Sequence, residues 1–155
     1  MSKYIYFWRN LIPVILLAGL IPQVAHSDPA QPEMESITVY KSPTCGCCSK
    51  WVSHLQANGF EVEAIDRQNM NDVKLDAGIP RQLASCHTAK IGGYVIEGHV
   101  SAADIKRLLK ERPDVAGLAV PEMPMGSPGM EGHRQDRYEV LTFTGSGDTA
   151  VFSRY

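Results

Sequence analysis

Short windows of β-branched and apolar residues alternate along the chain with longer stretches of helical periodicity. Ile37-Thr38-Val39-Tyr40 is β-branched and predicts a strand, broken by Lys41-Ser42-Pro43-Thr44. Cys45 to Asn58 predicts a helix, with Gly59 standing where a C-terminal capping glycine belongs. Phe60 to Ile65 alternates imperfectly and predicts a second strand, parallel to the first. A short helix is expected over Asn71 to Ala77, and Gly78-Ile79-Pro80 turns the chain. Ser85 to Ile91 and Tyr94 to Glu97 predict two strands joined at Gly92-Gly93, a strong hairpin signal. Ser101 caps the next helix, with Asp104 completing a variant capping box, and Ile105, Leu108 and Leu109 supply its apolar stripe. Tyr138 to Phe143 and Thr149 to Ser153 flank Gly145-Ser146-Gly147 as a terminal hairpin over 138–153. The order β-α-β-(α)-β-β-α predicts an α/β protein with a thioredoxin-like fold, extended by a loop over 120–133 rich in Met, Pro and Gly, and by that hairpin.

The first residues follow a different pattern. Lys3 and Arg9 precede an uncharged apolar run from Leu11 to Ile21, and Val24-Ala25-His26-Ser27 offers small residues for cleavage after Ser27. This is the pattern of a secretory signal peptide over 1–27. The alternative is a membrane anchor, but the run is about half the roughly 20 residues a spanning helix needs. Residues 28–35, with Pro29 and Pro32, are expected to form a flexible lead-in, and 36–155 the folded domain. After cleavage no membrane association is expected. A net charge of -2 gives no reason to expect nucleic acid as a partner.

Export changes the meaning of the four cysteines, which could form two structural disulfides. Three of them, however, lie in Cys45-Gly46-Cys47-Cys48. Neighbouring cysteines close almost no loop and remove little unfolded-state entropy, so chemistry explains the crowding better. On a helical wheel with Cys45 at zero, Cys47 falls near 200° and Cys48 near 300°, while Trp51, Leu55 and Val52 fall at about 240°, 280° and 340°. Cys48 should therefore point into the core edge, flanked by Cys45 and Cys47. The first helical turn favours negative charge and makes these thiolates accessible near neutral pH. Cys45 and Cys48 have the spacing of a dithiol/disulfide couple. A third sulfur, with a fourth from Cys86, points rather to soft-metal ligation, by Cu(I) or by zinc. The divergence of adjacent thiols suits bridging sulfurs in a small polynuclear cluster.

Cys86 sits on the predicted third strand, which in a thioredoxin-like topology neighbours the first. His87 is either a ligand and thiol-orienting group or a hydrogen-bonded core residue. His99 reaches the same edge only if the hairpin is short, and His54 is expected to be solvated. Met123, Met125 and Met130, with His133 after them, offer soft thioethers over the cluster. The alternative, which sequence alone favours, is gap-filling by methionine.

These residues resemble a family of periplasmic proteins encoded with bacterial copper-resistance genes, the CopG copper-resistance family, also described as a metal-binding domain of unknown function. The matching stretches are Tyr40 to Cys48 with its CGCC, then Trp51 with His54-Leu55, Ser85-Cys86-His87-Thr88-Ala89, Gly93 to Val100, and Met123 to Met130. Glu122 departs from the pattern, since glycine is expected before Met-Pro. The resemblance implies a thioredoxin-like fold, copper at the cysteine cluster, a role in periplasmic copper handling beside other copper-handling proteins, and room for redox activity. Three functions follow: a protein that sequesters or hands on Cu(I), a thiol-disulfide or copper oxidoreductase using Cys45 and Cys48, and an interaction module with two structural disulfides.

Overall fold

The computed structural model describes residues 36–155; the expected signal segment over 1–27 and lead-in over 28–35 lie outside them. Seven strands and three helices alternate in a mixed α/β arrangement: β1 Ser36–Lys41, α1 Gly46–Ala57, β2 Glu61–Asp66, α2 Met70–Asp76, β3 Thr88–Ile91, β4 Tyr94–Glu97, α3 Ala102–Glu111, β5 Gly117–Ala119, β6 Glu139–Phe143 and β7 Thr149–Arg154. One sheet carries them in the order β2-β1-β3-β4-β5-β6-β7. β1 runs parallel to β2 and antiparallel to β3, as the β-α-β reading and the expected neighbourhood of the first and third strands require.

Gly92 and Gly93 both take positive φ, 55° and 88°, so the β3–β4 turn twists with its strands and needs only two residues. The terminal hairpin also forms as expected, β6 pairing antiparallel with β7. Strand β5 is absent from the sequence reading. Its three residues are too few for a periodic signal, and its place is set by parallel pairing with β4.

Consecutive residues of β5 face opposite sides of the sheet. Leu118 joins Trp51 and Leu55 of α1 and Ile105 and Leu108 of α3 in the main apolar cluster, with Ile37, Val39 and Ile96. Ala119 joins Ile79, Leu83 and Phe143 in a smaller one. Helices α1 and α3 thus share one face. Trp51 is fully buried and its indole Nε1 donates to the Val100 carbonyl at 2.8 Å. That bond ties α1 to the segment between β4 and α3.

The Asp104 carboxylate accepts from Ser101 Oγ at 2.8 Å and Tyr155 Oη at 2.7 Å, and also from Ser153 Oγ. The variant cap therefore fastens the end of the chain to the start of α3. His54 is not solvated. It is half-buried, and its Nε2 accepts from Ala102 N at 3.1 Å, satisfying a helix-start donor of α3.

Candidate metal and redox site

The register of β1, β3 and β4 builds the site. Tyr40 at the carboxyl end of β1 pairs with Thr88 at the start of β3, and Thr88 pairs with Glu97 at the end of β4. Residues just before Thr88 and just after Glu97 therefore leave the sheet at the edge where α1 begins. Cys86 and His87 precede β3 rather than lying on it, which corrects the strand expected from Ser85. The two-residue turn brings His99 to the same place.

Cys45 is the N-cap of α1, and its sulfur accepts from Cys48 N at 3.3 Å. Cys48 is fully buried and Cys45 and Cys47 are half-buried, in agreement with the helical wheel. Cys45 and Cys48 are joined as a disulfide, while Cys47 and Cys86 are free thiols. Cys47 Sγ lies 3.4 Å from Cys45 Sγ and 3.9 Å from Cys86 Sγ. All four sulfurs fall within 4.8 Å of one another. Two sulfurs on one tetrahedral ion, each bonded at about 2.3 Å, stand about 3.8 Å apart, so the spacing fits shared ligation once the disulfide is reduced.

Cys86 is also the vertex of a second group. His87 Nδ1 lies 3.3 Å from its sulfur and His99 Nε2 lies 3.1 Å away. Both imidazoles are buried. The His87 ring lies 4.3 Å from that of Trp51, and its Nε2 has no hydrogen-bond partner. Burial, reinforced by the nearby Cys47, pushes the Cys86 thiol up to about 12. The expectation of ready thiolates, argued for the helix start, does not extend to Cys86. An ion must displace its proton.

Burial holds His87 well below the ordinary imidazole value, helped by the charges of His99 and Lys74. Burial likewise lowers His54 and His99. Each lowered pKa means the unfolded chain binds more protons than the folded one below about pH 6.5, so the stability these neutral rings contribute is present above that pH and lost as pH falls. The metal-free protein should thus show a lower urea midpoint at pH 5.5 than at pH 7.5. Each proton contributes a slope of up to about 1.4 kcal/mol per pH unit. His87→Gln should make the dependence shallower, and an unchanged slope would show that His87 already carries its proton in the fold.

Beside the start of β3 lies a buried clamp that sequence reading missed. Glu97, fully buried, accepts from Lys74 Nζ and Ser85 N at 2.6 Å each through Oε1, and from Thr88 Oγ1 at 2.6 Å through Oε2. It joins α2, the residue before Cys86 and the start of β3. No spacing rule links Lys74 to Glu97, so only the tertiary fold reveals the pair.

The methionine loop crosses the same edge. Met123 is 49% exposed, which removes it from gap-filling, while Met125 and Met130 are half-buried and His133 is exposed. Ser85 Oγ donates to the Glu122 carbonyl at one end. At the other, Gly129 lies against the α1 backbone, where an added Cβ would stand 2.8 Å from the Cys47 carbonyl oxygen and 2.9 Å from Trp51 N. Between them the Pro128 carbonyl lies 2.8 Å from His99 Nδ1. Glu122 has φ 63°, the left-handed region that favours glycine, which accounts for the glycine expected there; nothing in the structure explains the glutamate. Glu122→Gly should stabilise the protein by about 0.5–1 kcal/mol, the relief of left-handed strain less the extra freedom glycine gives the unfolded chain. A lowered urea midpoint would count against strain at this residue.

Four clustered sulfurs with two imidazoles beside one of them, at the edge of a mixed α/β sheet, define a protein with a cysteine cluster compatible with metal binding. Two solved structures resemble the chain. "Copper resistance protein copG- Form 2" is 49% identical, with a TM-score of 0.76, over 79% of this chain and 99% of that one. "Copper resistance protein copG- Form 1" is 49% identical, with a TM-score of 0.75, over 79% and 98%. A family described as "Protein of unknown function, DUF411" matches residues 83–130, which include Cys86, His87, His99, Met123, Met125 and Met130. No curated protein matches the chain. The chain belongs to the CopG-type copper-resistance family.

Proposed function

We propose that the protein binds Cu(I) on the thiolates of Cys45, Cys47, Cys48 and Cys86, with His87 and His99 in support, and so sequesters copper or hands it on. The observation that carries this reading is the approach of all four sulfurs to within 4.8 Å, although one of them comes from far along the chain. Soft thiolates suit Cu(I), and zinc is the lesser fit. The copper-resistance names of the two similar structures support copper as the cargo. The reading places the protein in the periplasm after cleavage behind Ser27, on a thioredoxin-like scaffold, with copper ions and other periplasmic copper-handling proteins as partners. Cys47→Ser tests it. The reduced variant should hold at most half the Cu(I) of the parent while its Cys45–Cys48 couple still cycles. Full copper capacity in that variant would remove the shared cluster.

A second reading, a thiol-disulfide or copper oxidoreductase, has its own support in the Cys45–Cys48 disulfide and the Cys47 sulfur 3.4 Å from Cys45. A two-electron reduction opens the bridge to two thiols, and bound copper can exchange electrons with the same sulfurs. Turnover of a disulfide substrate by Cys47→Ser, combined with loss of that turnover in Cys45→Ser, would favour this reading over simple storage.

A further inference from the structure

Each nitrogen of the His99 ring has one polar contact. Nδ1 lies 2.8 Å from the Pro128 carbonyl oxygen, and Nε2 lies 3.1 Å from Cys86 Sγ. The two contacts differ in what they demand. A thiol both donates and accepts, so Cys86 is satisfied by either tautomer of a neutral imidazole. A carbonyl oxygen only accepts, so the Pro128 contact is a hydrogen bond only when Nδ1 carries the hydrogen. That leaves Nε2 as a bare lone pair directed at the sulfur.

The carbonyl is itself held from both sides. Ser127 is buried, and its hydroxyl donates to the Pro124 carbonyl at 2.7 Å. The pyrrolidine ring of Pro128 fixes its own φ. Gly129 follows at φ 87°, pressed so closely on α1 that no side chain fits, and its N–H donates to Glu131 Oε1 at 2.8 Å. None of these restraints involves a methionine sulfur.

We propose that the loop acts on the metal site through its backbone: the Pro128 carbonyl fixes His99 as the Nδ1–H tautomer and so presents Nε2 as a nitrogen ligand beside Cys86. This rests on the metal-binding reading above and deepens it. Pro128 is a positioning group that touches no ion. Ligation beside it needs no rearrangement of the ring.

The test begins on the metal-free protein with ¹³C and ¹⁵N labels at pH 7.5. Long-range ¹H–¹⁵N spectra should show hydrogen on His99 Nδ1 and a pyridine-like Nε2, with a scalar coupling across the hydrogen bond to the Pro128 carbonyl carbon. Hydrogen on Nε2 would overturn the proposal, and this wild-type result stands whether or not any variant folds. Gly129→Ala, which alters no ligand, should lift the loop from α1. His99 should then move to a mixed or Nε2–H tautomer, and Cu(I) affinity should fall about 10–100-fold, the range for groups that orient a ligand. A folded Gly129→Ala protein with unchanged tautomer, or with a changed tautomer and undiminished affinity, also overturns it. Reduced wild-type protein that takes up no Cu(I) would defeat the metal reading itself and leave the tautomer finding intact.

Discussion

On the proposed Cu(I) reading, Cys86→Ser should strip the reduced protein of most of its Cu(I) affinity while leaving the Cys45–Cys48 couple able to cycle. Three of the clustered sulfurs come from one helix start and lie on one side of the group. Cys86 arrives from across the sheet and closes the group, 3.9 Å from Cys47. It is also the sulfur that both buried imidazoles face. Its loss would remove the proposed bridging ligand and leave His87 and His99 without a sulfur neighbour. The expected weakening exceeds the 10–100-fold typical of a supporting residue outside the ligand set. Competitive titration against a chromophoric Cu(I) chelator reads this directly, and a variant within tenfold of the parent would show that the helix-borne sulfurs suffice.

Glu97→Ala should destabilise the fold by about 3–5 kcal/mol, the cost of removing one partner from a buried ion pair. Lys74 would be left with its ammonium in a site where its side chain is 12% exposed, and Ser85 N–H would lose its acceptor. Lys74→Met with Glu97→Leu removes both charges and should recover part of the loss. Recovery stays incomplete because an unpartnered buried N–H costs about 1–3 kcal/mol by itself. Urea unfolding of the three metal-free proteins measures the difference. A single-variant loss below about 1 kcal/mol would mean that water already reaches the pair.

How much of this was legible in the sequence depended on whether a local rule applied. Cys48 could be assigned to the core edge because helical spacing fixes its direction relative to Trp51 and Leu55. The convergence of Cys86 could be expected from topology, and that of His99 only on the condition of a short hairpin, which Gly92-Gly93 meets. His54 was misread because its environment is made by α3, a helix remote in sequence. The Glu97 clamp and the Pro128 carbonyl had no signature at all. One is a long-range pairing of common residues, and the other is a backbone atom identical in every residue type. Strand β5 is recruited by its neighbours rather than by its own pattern.

The buried position of Cys48 beside a half-buried Cys45 sets the regiochemistry of attack on their bond. A thiolate arriving from solvent meets the Cys45 sulfur and expels Cys48 toward the interior, so any mixed disulfide with a visiting molecule is carried by Cys45. Cys48, released beside that sulfur, is then placed to discharge the visitor, with Cys47 at 3.4 Å as a second thiol in reach.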